Sequence, residues 1–282
     1  MRITRLVVGW DASSPAEQAL RWAANADERI GRPVHLVTVL TPGGTDRPEE
    51  AVAAARDALQ AALNGLMQTH PDLTVTAEVA VGDPAEELPR VAGRDSLLVI
   101  GASKAAGRRQ TGARRVPVAI AGRGDGVTAI VPAEPLGGRR GIFAVVRGRE
   151  RTRGALTFAA QAARILNEPL TLLRIRDPYE PVDGLEPVTL RSELGTLTHE
   201  FPDLTVNVDP HWVRSPACLL THSDHAALLV LEGHRPSCAP PRFSPERWLA
   251  AQAQAPFVVV AEPSVQQGKL RIPNPEQLAL RG

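Results

Sequence analysis

A loop rich in glycine and basic residues follows a short aliphatic run. Leu97–Ile100 is apolar and ends at Gly101, and small or cationic residues come next. They include Ala102, Ser103, Lys104, Gly107, Arg108, Arg109, Gly112, Arg114 and Arg115. Glycine lets backbone N–H groups approach an oxyanion closely, and cationic side chains offset the charge of that oxyanion. The segment indicates an anion-binding loop, and a solvated basic loop at one end of a sheet is the alternative.

A second candidate position follows the first aliphatic segment of the chain. Residues 3–8 lead into Gly9, Trp10 and Asp11. A carboxylate at a strand end can accept hydrogen bonds from an adenine amino group or a ribose hydroxyl. The same carboxylate, beside Ser13, can instead cap the helix that follows. Both roles of Asp11 stay open at this point.

Strand and helix signals alternate along the first half of the chain. Continuous runs of Val, Leu and Ile are typical of strands that are buried on both faces. We predict strands at 3–8, 34–40, 73–81, 97–100 and 127–131, with helices at 16–30, 48–68, 85–92 and 116–121. This alternation predicts an α/β fold with a doubly wound parallel sheet. In such a sheet, ligands bind where the strand order reverses, which predicts a crevice between Gly9–Asp11 and Gly101–Ser103.

The second half of the chain repeats the first. The segments that align are Ala19–Pro42 with Ala155–Pro178, Pro71–Val75 with Pro202–Val206, Leu97–Val99 with Leu228–Val230, and Val127 with Val258. A repeat of this length predicts two copies of one domain. We place the first domain at 1–135, a Pro/Gly linker at 136–140, the second domain at 141–263 and a polar tail at 264–282.

The composition of the chain disfavours several classes of function. The formal net charge is +1 and aromatic residues make up 4% of the chain, which disfavours nucleic acid as a partner. No apolar run reaches the roughly 20 residues that a spanning helix needs, so we expect no membrane association. The N-terminal segment lacks the pattern of a signal peptide, and the two cysteines have neither disulfide-framework nor metal spacing. We therefore expect a cytoplasmic protein without a metal site.

The first half resembles the universal stress protein family, and the second half does so more faintly. The residues that carry the resemblance are Val7–Ser13, Pro33–Leu40, Gly82–Pro84 and Leu98–Ser103. The resemblance implies an adenine-nucleotide α-hydrolase-like fold, with tandem five-stranded parallel sheets of strand order 3-2-1-4-5. It implies ATP or AMP in the predicted crevice, with adenine near Asp11 and Val39. Magnesium is expected only together with ATP.

The phosphate-binding loop departs from the family pattern of Gly, two residues, Gly, nine residues, Gly, then Ser or Thr. Gly101 matches the first glycine, but Lys104 stands at the second, and Gly107 has the wrong spacing for it. Gly112 matches the last glycine only if the loop is shortened by two residues, and Ala113 then stands where a hydroxyl is expected. Nucleotide-binding residues predicted for the first domain are Gly9, Asp11, Val39, Gly101, Ser103, Lys104, Gly107 and Gly112.

The second half departs further from the pattern. Its first strand ends without an aspartate, and its fourth strand ends in Glu232, a carboxylate where a phosphate would approach. Cys238 and Phe243 stand opposite Gly107 and Gly112. We predict that this half keeps the fold and lacks the usual site, while Arg147, His234 and Arg235 leave open an unfamiliar ligand.

No catalytic constellation is found in the sequence. It contains neither a P-loop nor a G-x-S-x-G nucleophile elbow. The leading hypothesis is therefore a non-enzymatic stress-response or regulatory module that binds a nucleotide in its first domain. The alternative is a nucleotide-free scaffold that acts through an unknown protein partner, and an enzyme of the wider superfamily is least favoured. Members of the family often pair their fifth strands across a dimer, so we expect an intrachain pseudo-dimer, with homodimerisation left open.

Overall fold

The computed structural model describes most of the chain outside several loops and the tail. The described residues are 3–43, 47–102, 116–121, 126–134, 137–147, 153–175, 188–213, 216–223, 225–233, 249–250, 252 and 254–261. The strands are β1 (Arg5–Gly9), β2 (Val34–Leu40), β3 (Val75–Val81), β4 (Ser96–Ala102), β5 (Val127–Pro132), β6 (Ile142–Arg147), β7 (Leu170–Ile175), β8 (Val206–Val213), β9 (Leu228–Gly233) and β10 (Phe257–Ala261). The helices are α1 (Ser14–Ile30), α2 (Pro48–Thr69), α3 (Pro84–Ala92), α4 (Val116–Ile120), α5 (Arg153–Leu166), α6 (Val188–Glu200) and α7 (Pro216–Ser223).

The strands form one continuous sheet. Within the described residues, ten strands run in the order β3-β2-β1-β4-β5-β10-β9-β6-β7-β8. Neighbouring strands are parallel within each half, and β5 pairs with β10 in antiparallel orientation. The prediction of an α/β fold with a mainly parallel sheet is confirmed. The structure shows one sheet of ten strands where the sequence predicted two sheets of five, because the hydrogen-bonded ladder continues through β5 and β10.

The strand register repeats between the two halves. Leu6 of β1 faces Val34 and Leu97, and Ile142 of β6 faces the corresponding residues Leu170 and Leu228. Each of these central strands therefore lies between two parallel neighbours, at the point where the strand order reverses.

The pairing of the last strand of each half shows an error in the sequence alignment of the two halves. Leu98 faces Thr128 in the first half, and the corresponding Leu229 faces Phe257 in the second. Thr128 thus corresponds to Phe257, and the alignment of Val127 with Val258 is wrong by two residues. A shift of two residues keeps every side chain on the same face of the sheet, so the apolar pattern alone could not detect it.

Alternate strand residues supply cores on the two faces of the sheet. Leu6 and Val8 pack in the cluster that includes α1, whereas Val7 packs on the other face with α3. The α1 cluster continues into the second half through Ala129 of β5 and Val258 of β10, which face each other. Both of these residues are fully buried. The two halves therefore share one apolar core across the junction.

A polar contact also joins the halves beside α5. The Glu168 carboxylate accepts hydrogen bonds from the Gly141 N–H and from Arg140, each at 2.9 Å. Arg29 of α1 donates to the Leu166 carbonyl at 3.4 Å. Burial by itself raises the pKa of Glu168, but these two hydrogen bonds and the charges of Arg140 and Arg29 hold it below its ordinary value. Glu168 is thus an ionised anchor for the chain that enters β6.

We predict that Glu168→Gln lowers the free energy of unfolding at pH 7 by about 1 kcal/mol, the size of a typical hydrogen bond. Because the folded-state pKa is lowered, the carboxylate stabilises the fold above its unfolded pKa of about 4.3. This stabilisation disappears as the pH falls through the folded value, so the two proteins should converge in acid. Urea unfolding at a series of pH values measures the difference.

The matched control is Glu50→Gln, because Glu50 is an exposed partner of Arg47. That substitution should change the unfolding free energy by less than about 0.5 kcal/mol. An equal effect of the two substitutions, or a difference that does not depend on pH, would contradict the assignment of Glu168 as an ionised anchor.

Candidate functional site

The carboxyl ends of β1 and β4 lie side by side at one edge of the sheet, where the strand order reverses. The chain that leaves β1 is held against β2, because the Trp10 N–H donates to the Val37 carbonyl at 2.8 Å. The Thr38 hydroxyl donates in turn to the Trp10 carbonyl at 2.8 Å. These two bonds fix the direction in which the chain turns toward α1. Asp11 therefore lies at the crevice that sequence analysis predicts.

Asp11 is exposed and helps to start α1. It accepts hydrogen bonds from the Ser13 N–H at 3.1 Å and from the Ser13 hydroxyl. The Ser13 hydroxyl oxygen accepts in turn from the Ala16 N–H at 3.3 Å, as a helix cap does. Both of these bonds to Asp11 fall on Oδ1. The cap of α1 is therefore Ser13, and Asp11 holds that cap in place. The contact of Asp11 with a nucleotide stays a prediction.

The turn between Asp11 and Ser13 contains a strained residue. Ala12 is exposed and has a φ of 58°, in the left-handed region that favours glycine. A Cβ in this conformation costs roughly 1–2 kcal/mol. The turn at the mouth of the crevice is therefore held at some cost in stability, a feature that the sequence pattern did not indicate.

We predict that Ala12→Gly raises the free energy of unfolding by about 0.5 kcal/mol. Glycine relieves the strain, but its greater freedom in the unfolded chain offsets about 0.4–1 kcal/mol of that gain. Ala12→Val should lower the unfolding free energy, because a β-branched residue adopts this conformation poorly. Thermal and urea unfolding compare the variants, and a loss of stability in Ala12→Gly would refute the strain argument.

Gly101 has a structural reason to be glycine. A Cβ at this position would overlap the Pro15 carbonyl group and would lie 2.7 Å from the Ala16 nitrogen. The backbone of the first turn of α1 thus rests directly on β4. A Cβ at Gly9 would meet only the Leu88 side chain, with Cδ1 at 3.1 Å. The absence of a side chain at Gly101 lets α1 pack on the sheet, whether or not a ligand binds nearby.

We predict that Gly101→Ala lowers the free energy of unfolding by about 3 kcal/mol, the upper part of the range for overpacking. Gly9→Ala should cost less, since a leucine side chain can move where a backbone cannot. As a control for the added methyl group, Gly65→Ala in α2 should stabilise the protein by roughly 0.5–1 kcal/mol, since nothing lies within 4 Å of the new Cβ. A Gly101→Ala protein as stable as Gly9→Ala would contradict this packing.

Val39 and the Gly82–Pro84 turn also lie at this edge of the sheet. Val39 is half-buried near the end of β2 and packs against the core on the α3 face. Asp83 caps α3, because its carboxylate accepts from the Ala85 N–H at 2.9 Å. A Cβ on Gly82 would lie 2.6 Å from Cγ of Glu87. The Gly82–Pro84 turn therefore has a complete structural role as a helix start.

Part of the predicted site lies outside the described residues. This applies to Ser103, Lys104, Gly107 and Gly112. Both ends of the loop that carries them are described, since β4 ends at Ala102 and α4 begins at Val116. Pro117 is therefore in the first turn of α4, where a helix tolerates proline.

The described part of the chain contains a buried polar atom that sequence analysis did not single out. The Trp10 indole Nε1 is buried without a hydrogen-bond partner.

Within the same described ranges, no group of three or more His, Cys, Asp and Glu side chains could hold a metal. No helix of that part is both long and apolar enough to cross a membrane.

Comparison with known proteins identifies the first half. Residues 2–116 match the model of the universal stress protein family. This stretch contains β1 to β4, whose ends form the candidate site, so this part of the chain is similar to that family. The resemblance that the sequence motifs indicated is confirmed. No curated protein matches the chain in sequence.

Solved structures share the fold over nearly the whole chain. A universal stress protein from Archaeoglobus fulgidus DSM 4304 superimposes with a TM-score of 0.72 at 13% identity, over 93% of this chain and 99% of that one. A functionally unknown protein from Pseudomonas aeruginosa PAO1 gives a TM-score of 0.55 at 12% identity, over 93% of each chain. At these identities the likeness shows the fold alone, and it extends that fold to the second half.

Proposed function

We propose that this chain is a non-enzymatic stress-response protein that binds ATP or AMP in the crevice of its first half. The stress-response role is supported by the family to which residues 2–116 are similar. The proposed site comprises Gly9, Asp11, Val39 and Gly101, together with the loop residues Ser103, Lys104, Gly107 and Gly112. Magnesium would accompany ATP only.

The observation that carries the proposal is the position of Asp11 at the strand-order reversal. β1 lies between β2 and β4, so the ends of these strands form the crevice in which open α/β sheets bind ligands. Asp11 is exposed there, and its two hydrogen bonds from Ser13 both fall on Oδ1. A carboxylate has further acceptor capacity for an amino or hydroxyl group of a nucleoside.

The charge of the loop supports the phosphate end of the proposal. The loop leaves the crevice at Ala102, and its sequence carries Lys104, Arg108, Arg109, Arg114 and Arg115. Side-chain cations bind phosphate through charge-assisted hydrogen bonds. They would replace part of the backbone binding that the departures at Lys104 and Ala113 remove from the family pattern.

The chain would act as two tandem domains within one soluble, cytoplasmic pseudo-dimer. The repeated strand register supports two domains, at 1–135 and 141–263, joined by the linker 136–140. The antiparallel pairing of β5 with β10 supports their association through the fifth strands. A homodimer would then form through some other surface, and no partner is named.

A nucleotide-free scaffold is the second candidate function. The structural roles of Asp11 and Gly101, two residues of the proposed site, favour this candidate. Asp11 already holds the Ser13 cap of α1, and Gly101 already lets α1 pack on the sheet. A protein that had lost its ligand could keep both residues for these reasons.

We predict that Asp11→Asn weakens nucleotide binding about tenfold or more, as the loss of a hydrogen bond to a charged group does. Asparagine keeps a side-chain oxygen for the Ser13 cap, so the fold should be retained. Calorimetry with ATP and AMP, first without and then with magnesium, measures binding to the wild type and the variant.

Asp83→Asn is the matched control, because Asp83 caps α3 at the same edge of the sheet and carries the same charge. It should bind nucleotide as the wild type does. Binding that Asp11→Asn leaves unchanged would place the nucleotide elsewhere. No heat and no thermal shift with the wild type at millimolar nucleotide would reject the proposal in favour of the scaffold.

A further inference from the structure

Glu232 takes the place in the second half that Gly101 takes in the first. The repeated strand register sets these two residues at the same point, near the ends of β9 and β4. The same register sets Arg147 where the first half has Asp11. The second crevice therefore has a carboxylate where the other crevice has no side chain.

The Glu232 side chain lies beside the first turn of α5. In the first half, the backbone of α1 rests directly on Gly101. In the second half, Glu232 Oε1 lies 3.8 Å from the point that a Cβ on Gly154 would occupy, in the first turn of α5. The Oε2 atom is buried. One oxygen of this half-buried side chain is thus buried, and the other lies beside the start of α5.

The charge of Glu232 suits its position beside a helix start. The N-terminus of a helix carries a partial positive charge and favours an anion. The first turn of α5 contains no acidic residue of its own, whereas that of α1 contains Glu17. Glu232 supplies the missing negative charge from the neighbouring strand. An anionic ligand in this crevice would have to lie beside this carboxylate, and like charges at close range repel.

We infer that Glu232 is a specificity-determining residue that closes the second crevice to phosphate-bearing ligands. The carboxylate occupies the volume and supplies the charge that a phosphate would bring. The chain consequently has one crevice open to a nucleotide, in its first half. The inference rests on the proposed function for the class of ligand, because it is the first crevice that is proposed to bind a nucleotide.

A second carboxylate near α5 provides a matched control. Glu200 of α6 is exposed, and its Oε1 accepts a hydrogen bond from Arg153 at 3.3 Å. Glu200→Gln removes one negative charge near the same helix start, from outside the crevice. Glu232→Gln removes one negative charge from within it and keeps the side-chain volume, and Glu232→Gly restores the residue type of the first half.

The test titrates each folded variant with inorganic pyrophosphate and with AMP. Thermal unfolding reports affinity, and hydrogen exchange of the segments 5–20 and 153–166 reports which crevice is occupied. Glu232→Gln should bind pyrophosphate at least tenfold more tightly than Glu200→Gln and should protect 153–166. The wild type should leave 153–166 unprotected with either ligand.

Equal pyrophosphate affinities for folded Glu232→Gln and Glu200→Gln would overturn the inference and make Glu232 a packing residue only. Protection of 153–166 in the wild type would also overturn it, and this result does not depend on any variant folding. Failure of the proposed function appears separately, as the absence of AMP-dependent protection in 5–20. The two ideas can therefore fail independently.

Discussion

The antiparallel pairing of β5 with β10 is the interaction on which the rest of the architecture depends. It joins two runs of parallel strands into one sheet and buries Ala129 against Val258 in a core that the two halves share. It also reverses the direction of the second half. The carboxyl ends of β1 and β4 therefore lie at one edge of the sheet, and those of β6 and β9 lie at the opposite edge. The two candidate crevices are separate sites that do not share residues.

The first crevice shows how one residue can satisfy packing and still suit a ligand. Gly101 is required because the start of α1 rests on β4, and Asp11 holds the Ser13 cap of that start. These duties bring an exposed carboxylate, a side-chain-free strand end and a helix start together at the switch point of the sheet. The proposed nucleotide site would use the same residues that these structural roles require.

The sequence predicted much of the fold because its signals are local and strong. Aliphatic runs such as Leu97–Ile100 indicated buried parallel strands, and Pro48 and Gly82–Pro84 marked helix starts. The repeat predicted that the halves share a topology. The register of the fifth strand was missed, since a slip of two residues preserves the apolar face.

The sequence predicted at which edge of the sheet the candidate site lies. It indicated less well why each residue of that site has its particular type. Motif spacing located Asp11 and Gly101, since strand ends and turn glycines are visible in sequence. The contact of Gly101 with the backbone of Pro15 joins distant parts of the chain, and no local pattern reports it. The left-handed conformation of Ala12 is likewise invisible, because alanine gives no sign of it. Glu232 was noticed as a departure, and only the structure places its carboxylate against α5.

The most direct test of the account is a crystal structure of the chain grown with AMP. The account predicts one nucleotide per chain, with its base or ribose on the Asp11 carboxylate and its phosphate beside the loop that follows Ala102. It also predicts that the carboxylate of Glu232 stays against α5. A nucleotide bound at the end of β9 with Glu232 displaced, or a chain without nucleotide at either edge of the sheet, would contradict it.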